Sequence, residues 1–144
     1  HLTMPLAEGA ARAMRKSLED ARLDLEDVGY INAHGTATQA NDVMEGNAIR
    51  SVFGDHTDRI AVSSTKSMHG HALGAAGALE AAATVLGLSR GLLPPTANFT
   101  ELDPEIRLDV IAGDARESRP AAALSNSFAF GGLNAVLAFR RYGG

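Results

Sequence analysis

The pattern of apolar and polar positions predicts one helix followed by two strand–loop–helix units. Apolar residues recur at helical spacing over residues 6–23, which predicts an amphipathic helix. Residues 30–33 and 60–63 are typical of short strands, and each is followed by a polar loop and then by a helix. This order of elements indicates an α/β fold built in layers.

The two later helices have different sequence signatures. Asp42 followed by Glu45 predicts an N-cap and its capping-box partner, and Gly54 ends that helix. The helix over residues 73–89 is rich in Ala and Gly, and each Gly costs about 1 kcal/mol of helix propensity relative to Ala. Tight packing has to offset that loss, so we expect this helix to be central and buried.

The last third of the chain predicts three more strands, at residues 108–112, 122–125 and 135–140. Residues 96–107 are expected to form an irregular surface connection, and residues 126–132 to form a loop. Together the elements predict a layered α-β-α arrangement around a mixed five-stranded sheet.

Composition excludes several classes of protein. The 144 residues contain no Cys, so a disulfide scaffold, a thiolate zinc site and a cysteine nucleophile are ruled out within this chain. The net charge of −4 without a basic run argues against a nucleic-acid surface. No apolar run reaches the roughly 18 residues of a membrane span, and no signal peptide is predicted, so we expect a cytoplasmic protein. The first residue is His1, which we interpret as the start of a piece of a longer protein.

Three loops at predicted strand ends concentrate the candidate chemistry, because sites in open α/β sheets lie at the carboxyl ends of strands. Their candidate side chains are His34, Thr36 and Thr38 in the first loop, Lys66, His69 and His71 in the second, and Asn126, Phe128 and Phe130 in the third.

Simpler interpretations compete with a catalytic one. A loop histidine is often only a hydrogen-bonded structural residue, and the two phenylalanines could be core residues. A zinc site at His69 and His71 with His34 and Asp42 is disfavoured, because no further ligand has convincing spacing. Glu80 lies in the small-residue helix and either faces solvent or is buried with a cation or a set of donors.

Taken in order, the three loops resemble one family. The segments HGTAT (34–38), STKSMHGH (64–71) with GAAG (74–77), and NSFAFGGLN (126–134) are similar to the C-terminal half of a β-ketoacyl-[acyl-carrier-protein] synthase of the thiolase fold. The similarity runs from Met4 to Arg141 and is greatest for the type II, long-chain synthase II branch. The resemblance implies that the chain is the second half of a duplicated fold, and that the Cys-bearing N-terminal half lies outside it.

The resemblance implies a decarboxylative Claisen condensation of malonyl on acyl carrier protein with an acyl group held on the absent Cys. By motif position His34 and His71 would bind the malonyl thioester carbonyl, and Lys66, paired with Glu45, would help to keep them neutral. The remaining implied roles are hydrogen bonds from Thr36 and Thr38 to the pantetheine arm, an oxyanion contact and acyl-pocket gate at Phe128 and Phe130, and support from Asp42 and Glu45.

The family also implies cofactors and partners. No cofactor is required beyond the phosphopantetheine of acyl carrier protein, and a structural monovalent cation is expected at Asn32, Glu80, Ser125 and Asn126. The expected partners are acyl carrier protein, the Cys-bearing half and a second copy of the full enzyme, with no nucleic acid and no membrane span. Alone, the chain should be inactive.

Other interpretations of the resemblance remain open. The chain could belong to a non-catalytic partner like the chain-length factors, or to a synthase of a specialised lipid or polyketide pathway. An acyltransferase that uses free coenzyme A is disfavoured, because no C-terminal Cys motif is present. Ala129 stands where the family usually has Gly, which would stiffen the gating loop.

Overall fold

A computed structural model describes residues 6–143. The start of the chain, where no signal peptide is predicted, lies outside the described residues. The helices are α1 (Ala7–Ala21), α2 (Gln39–Phe53), α3 (Lys66–His69) and α4 (Ala76–Arg90). The strands are β1 (Val28–Asn32), β2 (Ala61–Ser63), β3 (Leu92–Leu93), β4 (Asp109–Val110), β5 (Arg116–Glu117), β6 (Ala122–Ala129) and β7 (Leu133–Arg140).

Five of the strands form one mixed sheet in the order β4-β2-β1-β6-β7. The four strands β4, β2, β1 and β6 are parallel, and β7 is antiparallel to β6. Ile31 on β1 pairs with Val62 on β2 and with Leu124 on β6. The prediction of a mixed five-stranded sheet is therefore confirmed.

Helices cover both faces of this sheet, which confirms the layered α-β-α prediction. Helices α1 and α2 pack on one face with Ile31, Val62 and Leu124, whereas α4 packs on the other. The alternate residues Tyr30, Ala61 and Ala123 belong to a smaller cluster on the α4 side. This division follows from the period of two along a strand, which points successive side chains to opposite faces.

Three predicted boundaries are wrong. Helix α2 begins at Gln39 with Thr38 as its N-cap, so Asp42 lies inside the first turn and does not cap it with Glu45. Strand β6 runs on to Ala129, because β7 pairs with it along its whole length, and only Phe130–Gly132 form the turn. The second loop contains the short helix α3.

Two further features were not predicted. Leu92–Leu93 and Arg116–Glu117 pair as a small antiparallel sheet. Helix α4, which was expected to be central and buried, buries only one face, and Leu79, Val85 and Leu86 on its other side are about half exposed in the described part of the chain. Within residues 6–143, no helix is long and apolar enough to cross a membrane.

Candidate active site

The three candidate loops meet at one edge of the sheet. Strands β1, β2 and β6 are parallel, so their carboxyl ends lie side by side and bring together His34, Lys66 and Phe128. His71 follows α3 and reaches the same place, with its ring 5.6 Å from the ring of His34 at an interplanar angle of 85°. The structure thus clusters the two histidines and the lysine, as the sequence predicted.

His34 is held as a neutral imidazole with a defined tautomer. Burial, the Lys66 ammonium and the nearby His71 lower the pKa of His34 to about 4. Lys66 Nζ lies 3.3 Å from His34 Nδ1, and an ammonium can only donate. Nδ1 is then the acceptor, so the ring proton resides on Nε2.

His71 is exposed and has the same tautomer for a different reason. The backbone N–H of Leu73 donates to His71 Nδ1 over 3.2 Å, which makes Nδ1 the acceptor of a neutral ring. Nε2 of His71 therefore carries the proton as well. Neither Nε2 has a hydrogen-bond partner within residues 6–143, so each N–H can donate to a ligand oxygen.

Lys66 is paired with Glu80 and not with Glu45, which corrects the predicted pairing. Both side chains are almost fully buried, and Lys66 Nζ donates to Glu80 Oε1. Glu80 accordingly does not face solvent. A buried carboxylate needs such a partner, and here the partner is the ammonium that also contacts His34.

Glu45 supports the loop that carries His34. Its two carboxylate oxygens accept the backbone N–H groups of His34 and Gly35, each at 2.9 Å, and Oε1 also accepts Asn126 Nδ2 at 3.0 Å. Burial raises the pKa of Glu45, although the three donors counteract this. Asp42, the other predicted supporting residue, is half-buried and accepts a hydrogen bond from Asn41 Nδ2 at 3.0 Å. Among the described residues it forms no hydrogen bond with either histidine.

Gly35 is a functional position that the sequence analysis did not single out. Its φ is +39°, and a Cβ there would lie 2.5 Å from Cβ and 2.7 Å from Oγ of Ser64. Only glycine fits where two strand-end loops approach so closely. Ser64 Oγ also donates to the Gly35 carbonyl at 2.9 Å, which fastens the two loops together.

The two phenylalanines of the third loop have opposite environments. Phe128 is buried, with its ring 5.8 Å from that of His34, and so forms a wall of the site. Phe130 is 76% exposed and precedes two glycines with φ of +77°. Ala129 has φ −131°, an extended conformation that any residue adopts, so the replacement of Gly causes no backbone strain here.

Thr36 and Thr38 follow His34 in the first loop, and their hydroxyl groups are 3.1 Å apart. Thr36, Lys66 and His71 border an open cleft of about 660 Å³ that residues 96–103 also line. His69 is hydrogen-bonded to Gly70 O and Thr65 Oγ1 and, among the described residues, to neither histidine of the pair.

The predicted cation ligands are only partly available. Asn32 Nδ2 donates to Thr65 Oγ1, Thr84 Oγ1 and the Glu80 carbonyl, and Oδ1 contacts Thr65 as well, so this side chain is fully occupied. Glu80 Oε2 and Asn126 Oδ1 are buried and have no hydrogen-bond partner among the described residues. Ser125 is buried beside Asn126 on β6. Thr65 and Thr84 were missed by the sequence analysis, since nothing local marks a threonine as part of a distant amide network.

No group of three or more His, Cys, Asp or Glu side chains within residues 6–143 could hold a metal ion.

The chain is similar in sequence to known proteins over nearly its whole length. The sequence profile of the β-ketoacyl synthase C-terminal domain matches residues 1–100. Nodulation protein E of Rhizobium sp. (strain N33) is 55% identical over 141 residues, which are 98% of this chain and 35% of that protein. The 3-oxoacyl-[acyl-carrier-protein] synthase 2 of Synechocystis sp. is 51% identical over 144 residues, or 99% of this chain and 35% of that protein.

Solved structures show the same fold. The ishigamide ketosynthase/chain length factor superimposes with a TM-score of 0.95 at 44% identity, covering 99% of this chain and 35% of that one. A β-ketoacyl synthase from Burkholderia phymatum superimposes with a TM-score of 0.92 at 48% identity, covering 99% of this chain and 34% of that one. The chain thus spans about a third of the length of these relatives, 35% for nodulation protein E and for the ishigamide ketosynthase/chain length factor. With its thiolase-like layers and its His/His/Lys cluster, the chain belongs to the β-ketoacyl synthase family, as a C-terminal domain of that family.

Proposed function

We propose that this chain is the C-terminal part of a condensing enzyme that joins malonyl on acyl carrier protein to an acyl group by decarboxylative Claisen condensation. The observation that carries the proposal is the pair of imidazoles, each with Nδ1 facing a donor and Nε2 without a hydrogen-bond partner among the described residues. Two N–H donors at one place can bind a carbonyl oxygen and stabilise it as negative charge develops there.

The chemistry assigned to the two histidines is electrostatic. As the malonyl group loses CO2, the electron pair of the breaking C–C bond forms an enolate whose oxygen accepts both Nε2–H bonds. The enolate carbon then attacks the acyl thioester, and the thiolate of the acyl-bearing Cys leaves. That Cys is not in this chain, which contains none, so we place it in the remainder of the protein.

Lys66 prepares His34 for this role without touching the substrate. Its ammonium fixes the tautomer of His34 and, together with burial, keeps the imidazole neutral across the physiological range. A protonated imidazole would bind the thioester more strongly in the ground state, and would also have Nδ1–H clashing with the ammonium. Glu80 holds Lys66 in place, and Glu45 holds the backbone of His34.

The third loop and the threonines are assigned to substrate binding. We propose that the N–H of Phe130 contributes to an oxyanion hole for the acyl thioester, and that the exposed Phe130 ring gates an acyl pocket together with the buried Phe128. Thr36 and Thr38 are proposed to hydrogen-bond the phosphopantetheine arm. The solved complex of AntDE with AntF, described as an acyl-carrier protein with its ketosynthase, matches this chain at 37% identity and supports an acyl-carrier-protein partner.

The remaining partners follow from the family. We propose that a Cys-bearing N-terminal half completes the site, that the full enzyme is a homodimer, and that it works in the cytoplasm. We propose the structural monovalent cation at Glu80, Ser125 and Asn126, because Glu80 Oε2 and Asn126 Oδ1 are buried and have no hydrogen-bond partner among the described residues. Such a cation would supply positive charge next to Glu80. The side chain of Asn32 does not fit as a ligand, because its amide is fully hydrogen-bonded.

The test is alanine substitution of each histidine in the full-length protein. His34→Ala and His71→Ala should each lower the condensation rate by about 100- to 1,000-fold, as expected for loss of one oxyanion donor. His69→Ala is the matched control and should leave the rate within about twofold, since His69 is hydrogen-bonded to Gly70 and Thr65 and, among the described residues, to neither His34 nor His71. Equal rates for all three variants would contradict the assignment.

A separate experiment addresses the missing nucleophile. The 144-residue chain alone should show no condensation, and addition of the Cys-bearing half should restore it. Condensation by the isolated chain would rule out the proposal.

A non-catalytic chain-length-factor role is the second candidate. One structural neighbour is described as a ketosynthase/chain length factor, and this similarity supports the second candidate. The assembled His34, Lys66 and His71 favour the catalytic role. We propose a synthase of a specialised lipid or polyketide pathway as the other alternative, since the 55% identity to a nodulation protein is as high as the 51% identity to synthase 2.

A further inference from the structure

Residues 96–103 form one wall of the cleft that leads to the histidines. The sequence predicts only an irregular surface connection there. In the structure this segment borders the same 660 Å³ cleft as Thr36, Lys66 and His71. A connection in this position can contact whatever enters the cleft.

The segment is fastened to the loop that carries Lys66. Ser64 N donates to Thr96 Oγ1 at 3.1 Å, and Ala97 N donates to Ser67 Oγ at 2.8 Å. Ser67 Oγ in turn donates to the Ser64 carbonyl at 2.7 Å. These hydrogen bonds fix the start of the wall relative to Lys66, so the next residue has a defined place at the cleft.

That next residue is Asn98, which adopts a left-handed backbone conformation with φ +58°. Asn tolerates this region better than other non-glycine residues. Asn98 is exposed, borders the cleft, and its side chain makes no hydrogen bond to the part of the chain that the structure describes. Its carboxamide therefore has two donor hydrogens and an acceptor oxygen available to a ligand.

The charges around the cleft select the kind of ligand. Lys66 is the one Lys or Arg among the described residues that border it, and Lys66 is already paired with Glu80. Asp42, Glu101 and Asp103 also border the cleft. Glu101 and Asp103 lie in the same segment as Asn98, so this wall disfavours the anionic part of a ligand, whereas a neutral group that both donates and accepts hydrogen bonds suits a carboxamide and a threonine hydroxyl.

We propose that Asn98 is a substrate-binding residue that recognises a secondary amide of the arm carrying the malonyl thioester. This inference rests on the proposed condensing function, because that function supplies a thioester on an amide-containing pantetheine arm. Thr36 borders the same cleft from a different loop, so the arm would pass between two polar side chains held on separate elements.

The experiment uses two malonyl thioesters with the full-length enzyme. Malonyl-pantetheine contains the amides, and the S-ethyl thioester of malonate contains none. Asn98→Gly keeps the left-handed backbone and removes the carboxamide. It should raise KM for malonyl-pantetheine by about 3- to 10-fold, the usual effect of one neutral hydrogen bond, with kcat little changed. KM for the ethyl thioester should stay the same.

The control variant is Asn98→Ala, which removes the same carboxamide but strains the backbone at positive φ. If N98A raises KM and N98G does not, the turn matters and the amide does not, and the inference is overturned. An equal rise in KM for both thioesters in N98G would overturn it too. Absence of condensation by the unaltered enzyme would instead contradict the proposed function itself.

Discussion

The buried pair of Lys66 and Glu80 allows stability and catalysis to be separated by mutation. The two side chains are 5% and 1% exposed, and Glu80 Oε2 has no other partner among the described residues. Lys66→Met would leave the Glu80 carboxylate without its one charged donor. Removal of one member of a buried pair typically costs about 3–5 kcal/mol, and we expect K66M and Glu80→Leu each to lower the free energy of unfolding by that amount.

The double variant K66M/E80L should behave differently from the sum of the single ones. Replacement of a whole buried ion pair by apolar side chains of similar volume is often neutral or stabilising by about 1–4 kcal/mol. We therefore expect the double variant to have nearly the same free energy of unfolding as the unaltered protein. The coupling energy from the cycle should then be about 6–10 kcal/mol in magnitude, the sum of the two single losses, because each single change leaves an uncompensated charge.

Activity should not return with stability. In the double variant no ammonium donates to His34 Nδ1, so the tautomer of that ring is no longer fixed. The measurements are urea unfolding and the condensation rate of the full-length protein at pH 7. Arg116→Met is the control, since the Arg116–Asp109 pair is exposed and its loss should cost less than about 1 kcal/mol.

Two outcomes would refute this reasoning. If the double variant is destabilised by the sum of both single changes, Lys66 and Glu80 do not compensate each other. If the double variant is folded and fully active, the contact from Lys66 to His34 has no role in catalysis.

Three other predictions concern the loop of His34. Since the pKa of His34 falls from 6.5 to about 4 on folding, the unfolded chain binds more protons between these values. The free energy of unfolding should rise with pH across that window by up to about 1.4 kcal/mol per unit, and His34→Gln should flatten this slope in urea titrations. Glu45→Gln turns an amide N–H toward the backbone N–H donors of His34 and Gly35. The free energy of unfolding, measured by thermal unfolding, should fall by about 1–3 kcal/mol, and the condensation rate should drop. Gly35→Ala should lower the free energy of unfolding by at least about 1–2 kcal/mol. Adding Ser64→Gly to this variant should recover part of that loss, because it removes the side chain that the new Cβ meets.

The sheet and the three loops could be predicted because they depend on local signals. Strand periodicity at residues 30–33 and 60–63 set the two parallel strands that carry His34 and Lys66, and parallel strands end at one edge. Helix α1 was predicted within two residues at each end, since its apolar spacing and its charged outer face agree.

The errors arose where distant contacts decide. Asp42 and Glu45 match a capping box, but Glu45 is drawn to the backbone of His34 and Gly35 after the chain has folded back, and the helix begins earlier. Residues 126–129 look like a loop because of their polar and small side chains. They are a strand because β7 supplies a partner for every residue up to Ala129.

The partner of Lys66 shows the same limit. Glu45 and Glu80 both lie in helices that follow candidate loops, and sequence spacing gives no preference between them. The choice depends on the face of the sheet that each helix covers. Helices α1 and α2 pack on one face, and α4 packs on the opposite face. Lys66 contacts Glu80 across this second side, a fact that no local pattern contains.

The two buried glutamates therefore divide one task between the two faces of the sheet. From α2, Glu45 fixes the backbone of His34 through two N–H groups, and from α4, Glu80 fixes the ammonium that sets its ring proton. A displacement of either helix would change the position or the tautomer of a single imidazole. His71 has no such double support, since it is exposed and held by one backbone N–H. His34 is thus the more firmly held half of the donor pair among the described residues.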